Sequence, residues 1–228
     1  GSGRSFLTSS LGQLYAALGK KTLVIDLDLG AANLHTLVGV PDPPKGFYDF
    51  IHKKISRLEE AVVETPFENL FLISAAHGNF DMANLSYEQK MEILRAITKL
   101  DYDRILLDLG AGTSFNALDF FLISQSGVFI ATPEPTSVEN IYRLIHAIYM
   151  RRIHSCFNAP DFRALESEVG RQFGDGAANN PECMMKVIAR MYLEKYQQLQ
   201  DEFSAFQFKL IINQLRKQDN AALGSQMT

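Results

Sequence analysis

Cysteine is scarce in this chain: Cys156 and Cys183 are the only two among 228 residues. Two cannot build a disulfide framework or a cysteine-ligated metal cluster, and their scarcity suits a reducing compartment. An excess of basic charge is also lacking. Lys and Arg total 22 against 26 Asp and Glu, a formal net charge of −4, so the chain as a whole makes no electropositive field for nonspecific nucleic-acid binding. No apolar run approaches the roughly 20 residues needed to span a bilayer, and no signal-peptide pattern is visible. Internal repeats and low-complexity tracts are not seen. What is present is an ordinary globular balance, 46% hydrophobic and 21% charged. The length suits one sizeable α/β domain, or one domain with an insertion. These features together read as a soluble, cytoplasmic protein.

The stretch from Lys21 to Val40, KTLVIDLDLGAANLHTLVGV, organises the rest. Thr22 to Ile25 is a short β-branched and apolar run between a Gly-Lys-Lys turn and a polar, glycine-containing loop, which is how a buried parallel strand reads. It delivers Asp26 and Asp28 at its C-terminal end. Residues two apart on a strand point to the same side, so both carboxylates can face one site at the sheet end where open α/β folds bind ligands. Two acids there are costly unless a metal, a cation or water offsets them. The alternative is that one caps the next turn and the other is simply exposed.

Upstream, Gly1-Ser2-Gly3-Arg4-Ser5 runs into FLTSSLGQLYAALGKK. Leu7, Leu11, Leu14, Tyr15 and Leu18 recur at helical spacing, predicting the helix's apolar face, and Gly19 ends it. A glycine-rich turn entering a helix N-terminus favours anions through free N–H groups and the helix dipole. The P-loop pattern wants Lys on the phosphates and a hydroxyl on magnesium. Here Arg4 and Ser5 stand in those places, and the flat, larger guanidinium does not always fit the slot of an ammonium. Gly-Ser-Gly at a chain start also reads as a tag remnant.

Downstream, Asn69 to Ser74 reads as a strand, and Ser86 with Gln89 as a capping box opening a helix with Met91, Leu94 and Ile97 on one face. Arg104 to Leu107 is a buried-strand run ending in Asp108, followed by Gly110 and Gly112. An apolar strand ending in Asp beside a glycine turn is the usual position of a Walker B carboxylate. Gly127 to Thr132 predicts another strand, Thr136 and Glu139 a second capping box, and Ile141, Leu144, Ile145 and Ile148 the stripe of the following helix. Met184, Ile188, Met191, Leu199, Phe203 and Phe206 predict one long helix, read as a packed lid in preference to a docking element. Phe208 to Ile212 is the last predicted strand. Strands and helices alternate throughout, so the expected fold is α/β with a doubly wound, mostly parallel sheet.

The opening from GSGRS to LVGV, the Asp108-Leu-Gly-Ala-Gly112 stretch and the late Asn213 together resemble MinD/ParA-type deviant Walker A P-loop ATPases, with the flagellar-number, FlhG-like branch nearest on DLDLGAANLH. The resemblance implies a P-loop NTPase core over residues 1–150 and 207–228, with 151–206 as a helical insertion. It implies ATP/ADP and Mg2+ as cofactors. Gly1, Ser2, Gly3, Arg4 and Ser5 would bind the phosphates, while Ser5, Asp26 and Asp108 organise magnesium. Asp28 would position the attacking water, with Arg4 also catalytic. Pro133 and Glu134 would lie near the nucleotide and dimer interface, and Asn213 against the adenine edge, although an Asn after a strand is also a common turn residue. Asp108 to Gly112 would be a switch region. Two family features are missing from this sequence: a strand before the P-loop and the lysine just before the glycine pair.

The implied function is a slowly hydrolysing, nucleotide-dependent dimerisation switch in spatial organisation, acting in the cytoplasm or peripherally at the membrane. Its partners would be nucleotide, a second copy in the ATP state and an unidentified protein. Membrane or DNA contact would be compatible with it but leaves no mark in the sequence. Arg4 in place of lysine supports an alternative, a non-hydrolysing regulatory module on the same fold. A third reading is a metabolic ligase or reductase-type P-loop protein, and the lack of paired Cys-x-x-Cys argues against a cluster carrier.

Overall fold

The computed structural model describes residues 2–28, 32–76, 86–109, 115–124 and 126–215. The chain divides into two units, Gly1–Ile123 and Ser124–Thr228.

The first unit is built on a four-stranded sheet in the order β2-β3-β1-β4. Strand β1 (Thr22–Asp26) is buried at all five positions and is central. It pairs in parallel with β3 (Leu70–Ile73) and with β4 (Arg104–Asp108), while β2 (Val63–Glu64) is antiparallel to β3. A strand with neighbours on both edges and helices on both faces has no wet side, so it needs apolar residues at consecutive positions. Alternation then sorts the side chains. Val24, Leu70 and Leu72 line one face with Ala16 of α1 (Arg4–Ala17) and with Leu34 and Val38 in and just after α2 (Leu34–Leu37). Leu23, Ile25 and Ile73 line the other face. They pack there with Phe47, Phe50 and Ile51 of α3 (Phe47–Ile51) and Ile93, Leu94 and Ile97 of α4 (Tyr87–Ile97). Phe120 of α5 (Phe115–Leu122) completes that layer. Lys90 of α4, almost wholly buried, reaches Asp119 of α5 at 2.5 Å. An ion pair in that setting is costly to break from one side.

Helix α1 forms as the spacing predicts, with Leu7, Leu11 and Tyr15 half-buried. Its buried residues are Ser9, Gly12 and Ala16, whereas Leu14 and Leu18 are more than half exposed. The reason is the closeness of helix to sheet: a Cβ at Gly12 would stand 2.7 Å from Val24 Cγ1. Only small residues fit on that face. Gly19, at φ 76°, closes the helix, as the sequence predicts. The Ser86–Gln89 capping box also forms, with Gln89 N–H donating to Ser86 Oγ and Ser86 N–H to Gln89 Oε1.

The second unit pairs β5 (Ser126–Ala131) in parallel with β6 (Gln207–Ile212), register Ser126 to Gln207 through Ala131 to Ile212. Between them come α6 (Pro135–Ser155), α7 (Ala159–Phe173), α8 (Pro181–Met191) and α9 (Leu193–Ala205). The four helices share a core that includes Ile153, Leu165, Val169, Met184, Ile188 and Leu199. Helix α6 therefore runs unbroken through position 151, where the sequence reading begins its insertion. The single long helix predicted over 184–206 is two helices, broken at Tyr192 (φ −137°, ψ 60°), with Phe206 beyond the second. Tyr192 packs edge-on against Phe157 at 5.2 Å, which holds the break. The second predicted capping box does not form. Pro135 occupies the first helical position with Glu134 as the N-cap residue, so Thr136 is already inside the helix and Glu139 pairs with Arg143 instead. The fold is α/β, with a mostly parallel sheet flanked by helices.

Candidate functional site

The register of the sheet assembles the site. Asp26 and Asp108 are cross-strand partners at the C-terminal ends of β1 and β4. Each lies two residues after a side chain that lines the α1 face, Val24 and Leu106. Strand alternation therefore puts both carboxylates on the α1 side. The last ladder bond beyond them runs from Leu27 N–H to Asp108 C=O at 2.9 Å.

Asp26 is fully buried. Its Oδ1 accepts from Asp28 N–H at 3.1 Å and its Oδ2 from Leu34 N–H at 3.0 Å, so it clamps the turn that leads from β1 into α2. Burial pushes its carboxyl from the ordinary 3.8 to about 6; the Leu34 and Asp28 N–H groups pull it back, while the Asp108 and Asp28 carboxylates push it up. Asp108 is 3% exposed. Burial raises it too, the Ser5 hydroxyl and the Arg4 guanidinium pull it down, the Asp28 carboxylate pushes it up, and the Thr8 hydroxyl pulls it down. Thr8 Oγ1 donates to Asp108 Oδ1 at 3.4 Å, while Asp108 Oδ2 is buried with no hydrogen-bond partner among the described residues.

The helix facing these acids starts at Gly3, whose φ of 90° and ψ of 19° lie in the left-handed region that glycine enters freely. No side chain caps the helix and no acid sits in its first turn. The helix start thus carries neither a side-chain cap nor an acid of its own first turn at the positive end of its dipole, an arrangement that suits phosphate.

Ser2, Gly3, Arg4, Ser5, Asp26, Asp28 and Asp108 all lie in the first unit, and Arg4, Ser5, Asp26 and Asp28 are electrostatic or hydrogen-bonding neighbours of one another or of Asp108. Gly1 and the Gly110–Gly112 part of the expected switch lie outside the described residues. Pro133, Glu134 and Asn213 belong to the second unit. There, Asn213 N–H donates to Ala131 C=O at 2.8 Å, which sets Asn213 beside the end of β5 and the Thr132–Pro133 turn. Its Oδ1 accepts from Gln214 N–H at 2.9 Å, the bond of a turn residue. Glu134 is exposed, and its C=O accepts from Ser137 and Val138 N–H. Sequence reasoning passed over Thr8, although its place three residues after Ser5 on the same helix face was a usable signal.

Among the described residues no three His, Cys, Asp or Glu side chains converge to chelate a metal unaided. A cation at Asp108 would thus draw most of its ligands from phosphate and water, the habit of Mg2+. An unpartnered buried carboxylate oxygen facing an uncapped helix start fits a magnesium nucleotide.

No family model matches the chain. The chain is 27% identical over 151 residues to the septum site-determining protein MinD of Buchnera aphidicola, covering 65% of this chain and 55% of that protein. It is 27% identical over 147 residues to the antiactivator FleN of Pseudomonas aeruginosa, covering 64% and 51%. The solved structure of the septum site-determining protein MinD of Pyrococcus horikoshii, complexed with Mg-ADP, superposes with a TM-score of 0.52 at 25% identity, covering 64% of this chain and 60% of that one. The chain spans about half the length of the curated relatives it matches. In these likenesses, and in its P-loop-like helix start facing two strand-end acids, the chain is similar to the MinD/ParA family of deviant Walker A P-loop proteins.

Proposed function

We propose that the chain is the nucleotide-handling part of a MinD/ParA ATPase that hydrolyses ATP slowly and pairs with a second copy in the ATP state. One observation carries the reading: among the described residues Asp108 Oδ2 is buried without a hydrogen-bond partner, opposite a helix start that has no capping side chain and no acid in its first turn. The backbone N–H groups after Gly3 hold the phosphates, and Arg4 adds its charge. Ser5 and Asp108 hold the metal side, directly or through water. Asp26, clamped by Leu34 and Asp28, keeps the β1–α2 turn in place and acts on the metal through the water shell. Asp28, half-buried beside that clamp, orients the attacking water. Magnesium, when bound, neutralises phosphate charge as it develops in the transition state. Pro133, Glu134 and Asn213 are proposed for the nucleotide and dimer face, Asn213 for the base. The relatives' names, septum site determination and antiactivation, support a role in spatial organisation.

A second reading is favoured by Arg4. Its flat, larger guanidinium stands where the P-loop pattern has a lysine ammonium and does not always fit that slot, which suits a regulatory module that binds without turnover. Calorimetric titration of ATP and ADP with Mg2+, beside phosphate release, separates the two. Arg4→Lys should keep binding and, on the switch reading, leave or raise turnover; on the regulatory reading turnover is absent in the wild type and appears, if at all, only in the variant. Absence of Mg-nucleotide binding by both proteins would sink the ATPase reading.

A further inference from the structure

Three hydroxyl residues follow one another on α1, and they behave differently. Ser9 Oγ and Ser10 Oγ donate to Phe6 C=O at 3.0 and 2.8 Å, closing on their own helix. Such back-bonding is the ordinary fate of a helical hydroxyl. Thr8 instead donates across 100 positions of sequence to Asp108 Oδ1. Thr8 stands one turn beyond Ser5, so both hydroxyls face β4 from the same side of the helix. A threonine is stiff about χ1, so a hydroxyl that leaves its helix for a carboxylate also fixes that carboxylate's rotation. The other oxygen, Oδ2, stays buried and has no hydrogen-bond partner among the described residues.

We infer that Thr8 is a positioning residue for Asp108: its hydroxyl holds Oδ1, leaving Oδ2 as the atom that takes magnesium or a magnesium-bound water. This rests on the nucleotide reading above and assigns a role to a residue outside the P-loop pattern. The 3.4 Å separation is long for a hydroxyl–carboxylate bond, and such contacts tighten when ligand binds.

The readout is the factor by which Mg2+ strengthens ADP binding, taken as the ratio of calorimetric Kd values in EDTA and in excess Mg2+. Thr8→Val keeps shape and branching and removes the hydroxyl; it should cut that factor by about five- to tenfold, the worth of an ordinary net hydrogen bond. Thr8→Ser restores the donor and should recover the factor to within about twofold. In an Asp108→Asn background, Thr8→Val should have no further effect, because the two substitutions break one interaction. An undiminished factor in Thr8→Val overturns the inference, as do equal losses in Thr8→Val and Thr8→Ser or additive losses with Asp108→Asn, which mark mere packing. A wild type whose ADP binding ignores Mg2+ overturns the nucleotide reading itself and this inference with it, whereas a responsive wild type beside an equally responsive Thr8→Val removes Thr8 alone.

Discussion

Asp26 has two backbone donors and still titrates high, because full burial outweighs what two N–H groups return. The folded chain holds its proton between pH 3.8 and about 6, where the unfolded chain has lost it. Stability from this group is therefore present at acid pH, falls as pH rises through that window, and is fully lost above it. The loss is at most about 3 kcal/mol. Asp26→Asn removes the titration, so the wild type should lose urea resistance relative to the variant as pH rises, with the loss complete near neutrality. Parallel midpoints for the two proteins across that range would show that Asp26 is not the titrating group. At this scale the sequence was legible as chemistry but not as connection. Acids at the ends of apolar strands announce a site, and Asp26 and Asp108 are cross-strand partners in it. That Leu34 N–H would clamp Asp26 from eight residues away was not legible, since every residue but proline carries that donor. Asn213 shows the same limit, for its bond to Gln214 N–H serves a turn whether or not its side chain meets a base.

Elements were legible where local chemistry alone decides them. Strand β1, strand β4 and the start of α4 sit where apolar runs and a capping box put them. Helix α1 was legible as a helix, but its most buried face was not, because leucine periodicity speaks for hydrophobicity and not for the space available. Against a sheet as close as this one, the face that fits is Ser9, Gly12 and Ala16. Opposite costs follow from the two readings. Gly12→Leu should destabilise by about 3 kcal/mol through overpacking against Val24, while Leu14→Ala, on a side chain 55% exposed, should cost less than about 0.5 kcal/mol. Thermal midpoints of the two variants decide it, and the reverse order would restore the leucine face as the buried one. The break at Tyr192 was illegible for a related reason: the methionine and aromatic spacing continues across it, and only the contact with Phe157 marks where the helix turns.

At the scale of the molecule, alternation of strands and helices was enough to give the α/β class, because buried parallel strands and their covering helices have different periods. The division into two units was less visible, since no composition shift or linker marks position 123. Each unit buries its own apolar set, Leu23, Ile25, Phe47 and Ile93 in the first and Ile153, Leu165, Met184 and Leu199 in the second. Separate cores imply that damage to one is felt chiefly within it, because cavity costs come from atoms lining the cavity. Ile25→Ala and Leu165→Ala, both at wholly buried positions, should each cost about 2–5 kcal/mol. Their hydrogen-exchange signatures should differ. Ile25→Ala should release protection in β1, β3 and β4 more than in α7 and α8, and Leu165→Ala the reverse. Since the proposed phosphate and metal groups all come from the first unit, Ile25→Ala should also weaken Mg-ADP binding, while Leu165→Ala should spare the phosphate contribution. Equal loss of protection across both units from either substitution would mean that the chain opens as one body, and its nucleotide site would then depend on the helical core as much as on the sheet.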